Sequence, residues 1–187
     1  LSNDSTAPGY LVPEDAGPAY DKALEIHLSE WICGVTGIEV TRVYPRWTDP
    51  QRQIPITGTT WCAFGITAQQ QALNPADVQI DDDRSEQWTW ERVTVICCFY
   101  GPEGAALAGC FRAGIFIEQN NVELNQRSGL TLNDAGPLYN VPELINNQWV
   151  RRYDITVTLS RKIVREYNIK SLIATSPTDI PVILSGD

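Results

Sequence analysis

The run Val93-Thr94-Val95-Ile96-Cys97-Cys98-Phe99-Tyr100 is apolar at odd and even positions alike, and Gly101-Pro102 stops it. Such a run reads as a buried strand, and the pattern carries it back to about Trp88, long enough for a central position in a sheet. Downstream, Tyr153-Asp154-Ile155-Thr156-Val157-Thr158-Leu159 alternates with period two. That alternation predicts a half-buried strand over about Trp149–Lys162, with the pattern continuing toward Tyr167. Between the two, Leu107, Cys110, Phe111, Ile115, Phe116 and Ile117 predict one helix over Glu103–Gln119, apolar nearly all round. A helix of that kind is expected to lie between a sheet and a second cover. Gly104, Gly109 and Gly114 recur within it, each costing about 1 kcal/mol of helix stability, so close packing is expected to compensate.

Upstream, Tyr20, Leu24, Leu28, Trp31 and Ile32 fall at helical spacing and predict a helix over Pro18–Cys33, with proline in its first turn and Gly34 and Gly37 behind it. Short strands follow at Glu39–Tyr44 and Thr60–Thr67, separated by a loop that carries Pro50, Pro55 and Gly58. Residues 121–148 read as a long connection with a single helical turn near Val122–Gln126. The order α-β-β-β-α-β predicts an α+β fold: a mainly antiparallel sheet of about four strands, three of them a meander, with two helices packed on it. Residues 1–17 and 170–187 read as extended N- and C-terminal arms around a single domain, 18–169.

Composition narrows the chemistry. The chain has 187 residues and a net charge of −9, which argues against a surface that grips phosphates. An acidic surface is instead one past which DNA slides. The five cysteines are 33, 62, 97, 98 and 110, with no C-x-x-C among them. Each lies in an apolar run, and they read as small buried hydrophobes of a reducing compartment. Adjacent Cys97 and Cys98 are expected on opposite faces of their strand. The N-terminal residues lack the pattern of a secretory leader and no apolar run approaches a membrane span, so a soluble protein assembled in the cytoplasm is expected.

The single histidine, His27, sits beside the apolar stripe of the first helix and reads as a flank residue. Asp81, Asp82 and Asp83 lack the spacing of a calcium loop and read as a hairpin tip or an acidic partner surface. No nucleotide-binding glycine pattern occurs, no carboxylate pair nominates itself for acid–base work, and neither a catalytic residue, a metal nor a cofactor is expected. Arg151, Arg152, Arg161, Lys162 and Arg165 form a basic strip in an acidic chain, read either as an exposed edge with local ion pairs or as the complement of Asp81–Asp83 on a neighbouring subunit. Replacing Arg151 and Arg152 by Glu is then expected to weaken assembly and leave the domain folded. Trp47, Trp88, Trp90 and Trp149 lie at loop or strand ends, where tryptophan serves as an interface anchor or as a lid on the core. The candidate interface is therefore Trp47, Asp81, Asp82, Asp83, Trp88, Trp149, Arg151, Arg152 and Arg161.

Several phrases occur in a characteristic order: Gly34-Val35-Thr36-Gly37, Tyr44-Pro45-Arg46-Trp47, Trp61-Cys62-Ala63-Phe64-Gly65-Ile66 and Phe99-Tyr100-Gly101-Pro102. Arg112 with Ile117-Glu118-Gln119-Asn120, Val141-Pro142-Glu143-Leu144 and Trp149-Val150-Arg151-Arg152-Tyr153-Asp154 complete the series. Over about Pro18–Tyr167 the chain resembles the neck-terminator (tail-terminator) proteins of tailed bacteriophages. The resemblance implies a non-enzymatic virion protein. It would form a homo-oligomeric ring, usually a hexamer, that ends the tail tube and meets the neck or connector protein, with genomic DNA in its lumen. Tail tube protein, connector and sheath protein are the implied partners, and no membrane is. Rivals are another head–tail joining protein (a connector stopper or a tube protein), a small metal-dependent enzyme using Asp81–Asp83 or His27, and a ligand-binding module with aromatic loops.

Overall fold

The computed structural model describes residues 9–50, 52–56, 58–81 and 83–169. The expected C-terminal arm (170–187), the first eight residues of the expected N-terminal arm (1–17) and Asp82 lie outside the described residues.

Helix α1 spans Asp21–Thr36, and its Leu24, Leu28, Trp31 and Ile32 are buried at the predicted spacing. It stops where Gly37 takes a left-handed φ of 71° and returns its N–H to Cys33 O. A 3-10 turn, Val40–Arg42, leads into β1, Val43–Pro45. The sheet is then built by β2 (Trp61–Gln71), β3 (Ala76–Gln79), β4 (Arg84–Tyr100) and, after the helices, β5 (Thr131–Ala135), β6 (Tyr139–Asn140) and β9 (Arg152–Asn168). A separate hairpin is made by β7 (Glu143–Ile145) and β8 (Gln148–Val150).

The main sheet runs β1-β2-β4-β9-β5, with β3 beside β4 and β6 beside β9. Its spine is the antiparallel pair β4–β9, in unbroken register from Arg84↔Asn168 to Tyr100↔Arg152. The fold is α+β and mostly antiparallel as expected, but among the described residues the main sheet has seven strands where about four were expected, because short strands without a readable period join it, and two further details differ. β1 pairs parallel with β2, so the first strands are not a simple meander. β9 is flanked on both sides only as far as Ser160, by β4 and by β5 and β6; beyond it, where Arg161, Lys162 and Arg165 lie, β4 alone pairs with it.

The helix expected over Glu103–Gln119 is two helices, α2 (Gly104–Gly114) and α3 (Glu118–Ser128). The break is chemical: the Asn120 and Asn121 amides donate to Gly114 O and Ile115 O, both at 2.9 Å, satisfying carbonyls that another helical turn would have used. Phe116 and Ile117 are left exposed at the corner. Two of the three recurrent glycines mark close approaches. A Cβ on Gly104 would stand 3.0 Å from Phe99 O, and one on Gly114 would stand 2.5 Å from Val35 Cγ1. Gly109 faces open space, so the packing explanation does not extend to it.

All three helices cover one face of the sheet. There Phe99, Phe111, Trp31, Leu28, Ile155 and Leu159 form the main core, with Trp31 edge-on to Phe111 at 5.1 Å between centroids. Alternation sends the intervening residues to the other face, where Trp61, Ala63, Cys98 and Tyr100 make a second cluster with Tyr44, Ile145 and Val150. Cys97 and Cys98 therefore do point to opposite faces, each in its own cluster. Cys62 is also buried, but Cys33 is half-buried and Cys110 exposed, so only three of the five thiols are core residues. All five are free.

Candidate assembly surfaces

The helix-free face of the sheet carries an aromatic and charged cluster. Trp61 and Tyr100 are cross-strand partners on neighbouring strands, and their rings stack at 4.0 Å with 3° between planes. Tyr44 joins Trp61 at 5.7 Å, and the Arg52 guanidinium lies 4.5 Å from the Tyr44 ring. Arg152 grips Asp154 with two 2.7 Å hydrogen bonds and reaches Glu143 at 3.0 Å. Tyr100 donates to the same Glu143 oxygen at 3.0 Å. Burial raises the Tyr100 phenol well above its usual range, despite the opposing pull of Arg152. Burial, with Asp154 adding to it, pushes the Cys98 thiol up to about 11.

This network fixes the β7–β8 hairpin. Glu143 ties its first strand to the sheet, and Ile145 and Val150 pack on the second cluster. Its two-residue turn has Asn146 and Asn147 at φ 49° and 60°, the left-handed pair that a tight type I′ hairpin needs and that asparagine tolerates. The alternate pair, Leu144 opposite Trp149, faces outward, and Trp149 is 74% exposed. Nearby, Trp47 lies across Gly65, where any Cβ would collide with the indole. Trp47 is still 68% exposed, and Ile54 and Ile56 are exposed on the same loop.

On the helical face, α1 and α3 leave a groove of about 430 Å³ between them, lined by Trp31, Val35, Val40 and Leu124 and rimmed by Glu30, Glu123 and Arg127. Buried at this groove, Trp31 Nε1 and His27 Nδ1 have no hydrogen-bond partner among the described residues. His27 is thus a groove residue as well as a helix-flank residue.

The other expected interface residues are placed as follows. Arg161 is 3% exposed and faces Glu91, its register partner, which is 2% exposed. Its Nε donates to Glu91 Oε2 at 2.7 Å, Nη2 makes a 2.6 Å ion-pair contact with the same oxygen, and Nη1 donates to Ala19 O at 2.7 Å. The expectation of an exposed Arg161 is therefore corrected: the side chain is spent inside the subunit. Arg152 is likewise committed to Asp154 and Glu143, while Arg151 is exposed. Asp81 pairs with Arg84 of its own turn at 2.6 Å and accepts from Asp83 N–H, so it is a turn-forming residue in the isolated chain. Trp88 donates to Glu86 at 2.6 Å, and Lys162 Nζ lies 3.0 Å from its ring centroid.

The buried pair went unnoticed in the sequence, yet a signal was there. Glu91 has the parity of Val93, Val95 and Cys97, and Arg161 that of Ile155, Val157 and Leu159, the core-facing sets of their strands. Two opposite charges at core parity on long strands are a candidate ion pair. The N-terminal residues beside it are not a free arm where described. Glu14 N–H donates to Glu166 O, Glu166 N–H to Asp15, and Arg165 pairs with Asp15 at 3.3 Å.

Among the described residues, no three histidine, cysteine, aspartate or glutamate side chains cluster as a metal site, and no helix is long and apolar enough to cross a membrane. What the described residues display is exposed apolar and charged surface on both faces of the sheet. The chain belongs to the phage neck terminator proteins, whose family model matches residues 22–183, from α1 to near the C-terminus. No curated protein matches it. The family places the protein among structural proteins of the phage tail and neck.

Proposed function

We propose that copies of this chain close into a ring, sixfold in the form the resemblance implies, that caps the tail tube and receives the head-side connector while the genome passes through its lumen. The observation that carries this reading is the family match over almost the whole chain, joined to a sheet that displays exposed apolar surface on both of its faces. Two unlike faces suit a heterologous contact, and a heterologous contact that closes on itself makes a ring. Capping is then geometric: one rim of the ring accepts the tube and the other presents a surface on which no further tube ring fits. A net charge of −9 suits a ring past which DNA slides without being gripped by its phosphates. Tube protein and connector are the partners of the two rims, and a sheath protein is the partner outside them in a contractile tail.

Electron microscopy of the purified protein, alone and with tail tubes, tests this. Single rings that bind tube ends are the expected result. Long tubes of the protein itself would make it a tube protein, and a chain that stays monomeric even beside tubes would refute the ring.

A further inference from the structure

The ring reading leaves open which surfaces meet, and resting on that reading we infer that the β7–β8 hairpin of one copy docks into the α1–α3 groove of the next. The hairpin is a protruding element with a large anchor. Leu144 and Trp149 stand opposite each other on its outward side, and the strand beneath is locked by Glu143, Ile145 and Val150. A pre-organised aromatic loses little entropy on docking, which is why tryptophan dominates interface energetics. The groove is the matching depression: about 430 Å³, apolar at its base, and bordered by buried indole and imidazole nitrogens that have no partner among the described residues.

Charge favours the same pairing. Helices α1 and α3 carry Asp21, Glu25 and Glu118 against Lys22, besides Glu30 and Glu123, which share Arg127 at the rim of the groove. The hairpin side carries Arg46, Arg52 and exposed Arg151 against Asp49, besides Glu143 and Asp154, which share Arg152. Contact between like surfaces would set the acidic helices of two copies against each other; contact between unlike surfaces brings arginine to glutamate. The two surfaces are different patches on opposite faces of the sheet, and a contact between unlike patches propagates from copy to copy.

Two variants of the full chain separate this contact from folding. Trp149→Ala removes an exposed anchor. Gly34→Gln fills the groove from α1, where a Cβ meets nothing within 4 Å and a non-glycine residue favours the helix. Each variant alone is expected to keep its far-UV circular dichroism and to associate at least about 30-fold more weakly by sedimentation or native mass spectrometry, the loss typical of a truncated hot spot. Mixed together, the two should form a 1:1 dimer and stop there, because only the groove of the Trp149 variant and the hairpin of the Gly34 variant remain intact. If wild type forms rings and the variants assemble equally well, the contact is elsewhere and the ring reading survives. If both variants dissociate but their mixture does not pair, the unlike-surface geometry is wrong. If wild type is monomeric with and without tail tubes, both the contact and the ring fall.

Discussion

The Glu91–Arg161 pair lies between the helix-covered core and the three-strand extension of the sheet, and breaking it should be more costly than deleting it. Arg161→Met leaves the Glu91 carboxylate buried without a counterion, and removing one partner of such a pair typically costs about 3–5 kcal/mol. The abandoned carboxylate has one escape, which is to bind a proton. For an ordinary glutamate that costs about 3.7 kcal/mol at pH 7, so this sets a ceiling on the charge penalty. Loss of the hydrogen bond to Ala19 O adds about 1 kcal/mol. Glu91→Leu strands Arg161 instead, and a guanidinium has no comparable escape because it keeps its proton at any pH the fold survives. The double variant Glu91→Leu/Arg161→Met removes both charges and should cost less than either single change, about 1–2 kcal/mol, chiefly from the Ala19 carbonyl and the lost stacking on Tyr20. Urea unfolding followed by circular dichroism, at one fixed protein concentration, measures all three. The pH series is the sharper readout. A carboxylate buried without its counterion favours the protonated form in the folded state of Arg161→Met, so that variant's deficit should shrink as pH falls from 7 toward 5. The deficit of Glu91→Leu should not follow that slope. A double variant that costs the sum of the singles, or an Arg161→Met deficit independent of pH, would refute the reasoning.

Other expectations follow from the same geometry. Burial raises the Asp15 carboxyl, but the Glu166 N–H and the Arg165 charge outweigh it and hold it below 3.8. The anchorage of residues 14–15 is therefore present above that value and lost as pH falls through the depressed one; hydrogen exchange at Glu166 N–H should speed up there, and an unchanged rate would oppose this. Thiol labelling of the native protein should modify exposed Cys110 first and Cys33 slowly, with Cys62, Cys97 and Cys98 reacting only on unfolding, since burial raises all three thiols; early labelling of Cys98 would contradict the second cluster. Arg151→Glu should leave the melting temperature nearly unchanged, whereas Arg152→Glu sets a carboxylate against Asp154 and Glu143 and should lower stability by about 3–5 kcal/mol. Replacing both together is thus not the mild surface change that adjacency in the chain suggests, and equal melting temperatures for the two single variants would count against the network.

The sequence by itself determined the elements whose pattern is local and long. The stripe of α1, the apolar run of β4 and the alternation of β9 each repeat over many residues, so periodicity alone placed them to within a few positions. The same alternation separated Cys97 from Cys98, and the ordered phrases along the chain pointed to the family. α3 showed only as a single turn near Val122–Gln126, because it buries only Leu124 and has no apolar stripe, and β3 and β5 to β7 escaped because two to five residues carry no period, while β8 was merged into the strand that follows it. Tertiary structure alone decided what pairs with what. Whether an arginine on β9 meets solvent or a carboxylate depends on the strand beside it, and the β4–β9 register sets Arg161 on Glu91 while Arg151 stays outside the ladder. The hairpin's outward Trp149 and the groove between α1 and α3 depend on contacts between segments over a hundred residues apart in places, and hydrophobic period carries no information about such distances.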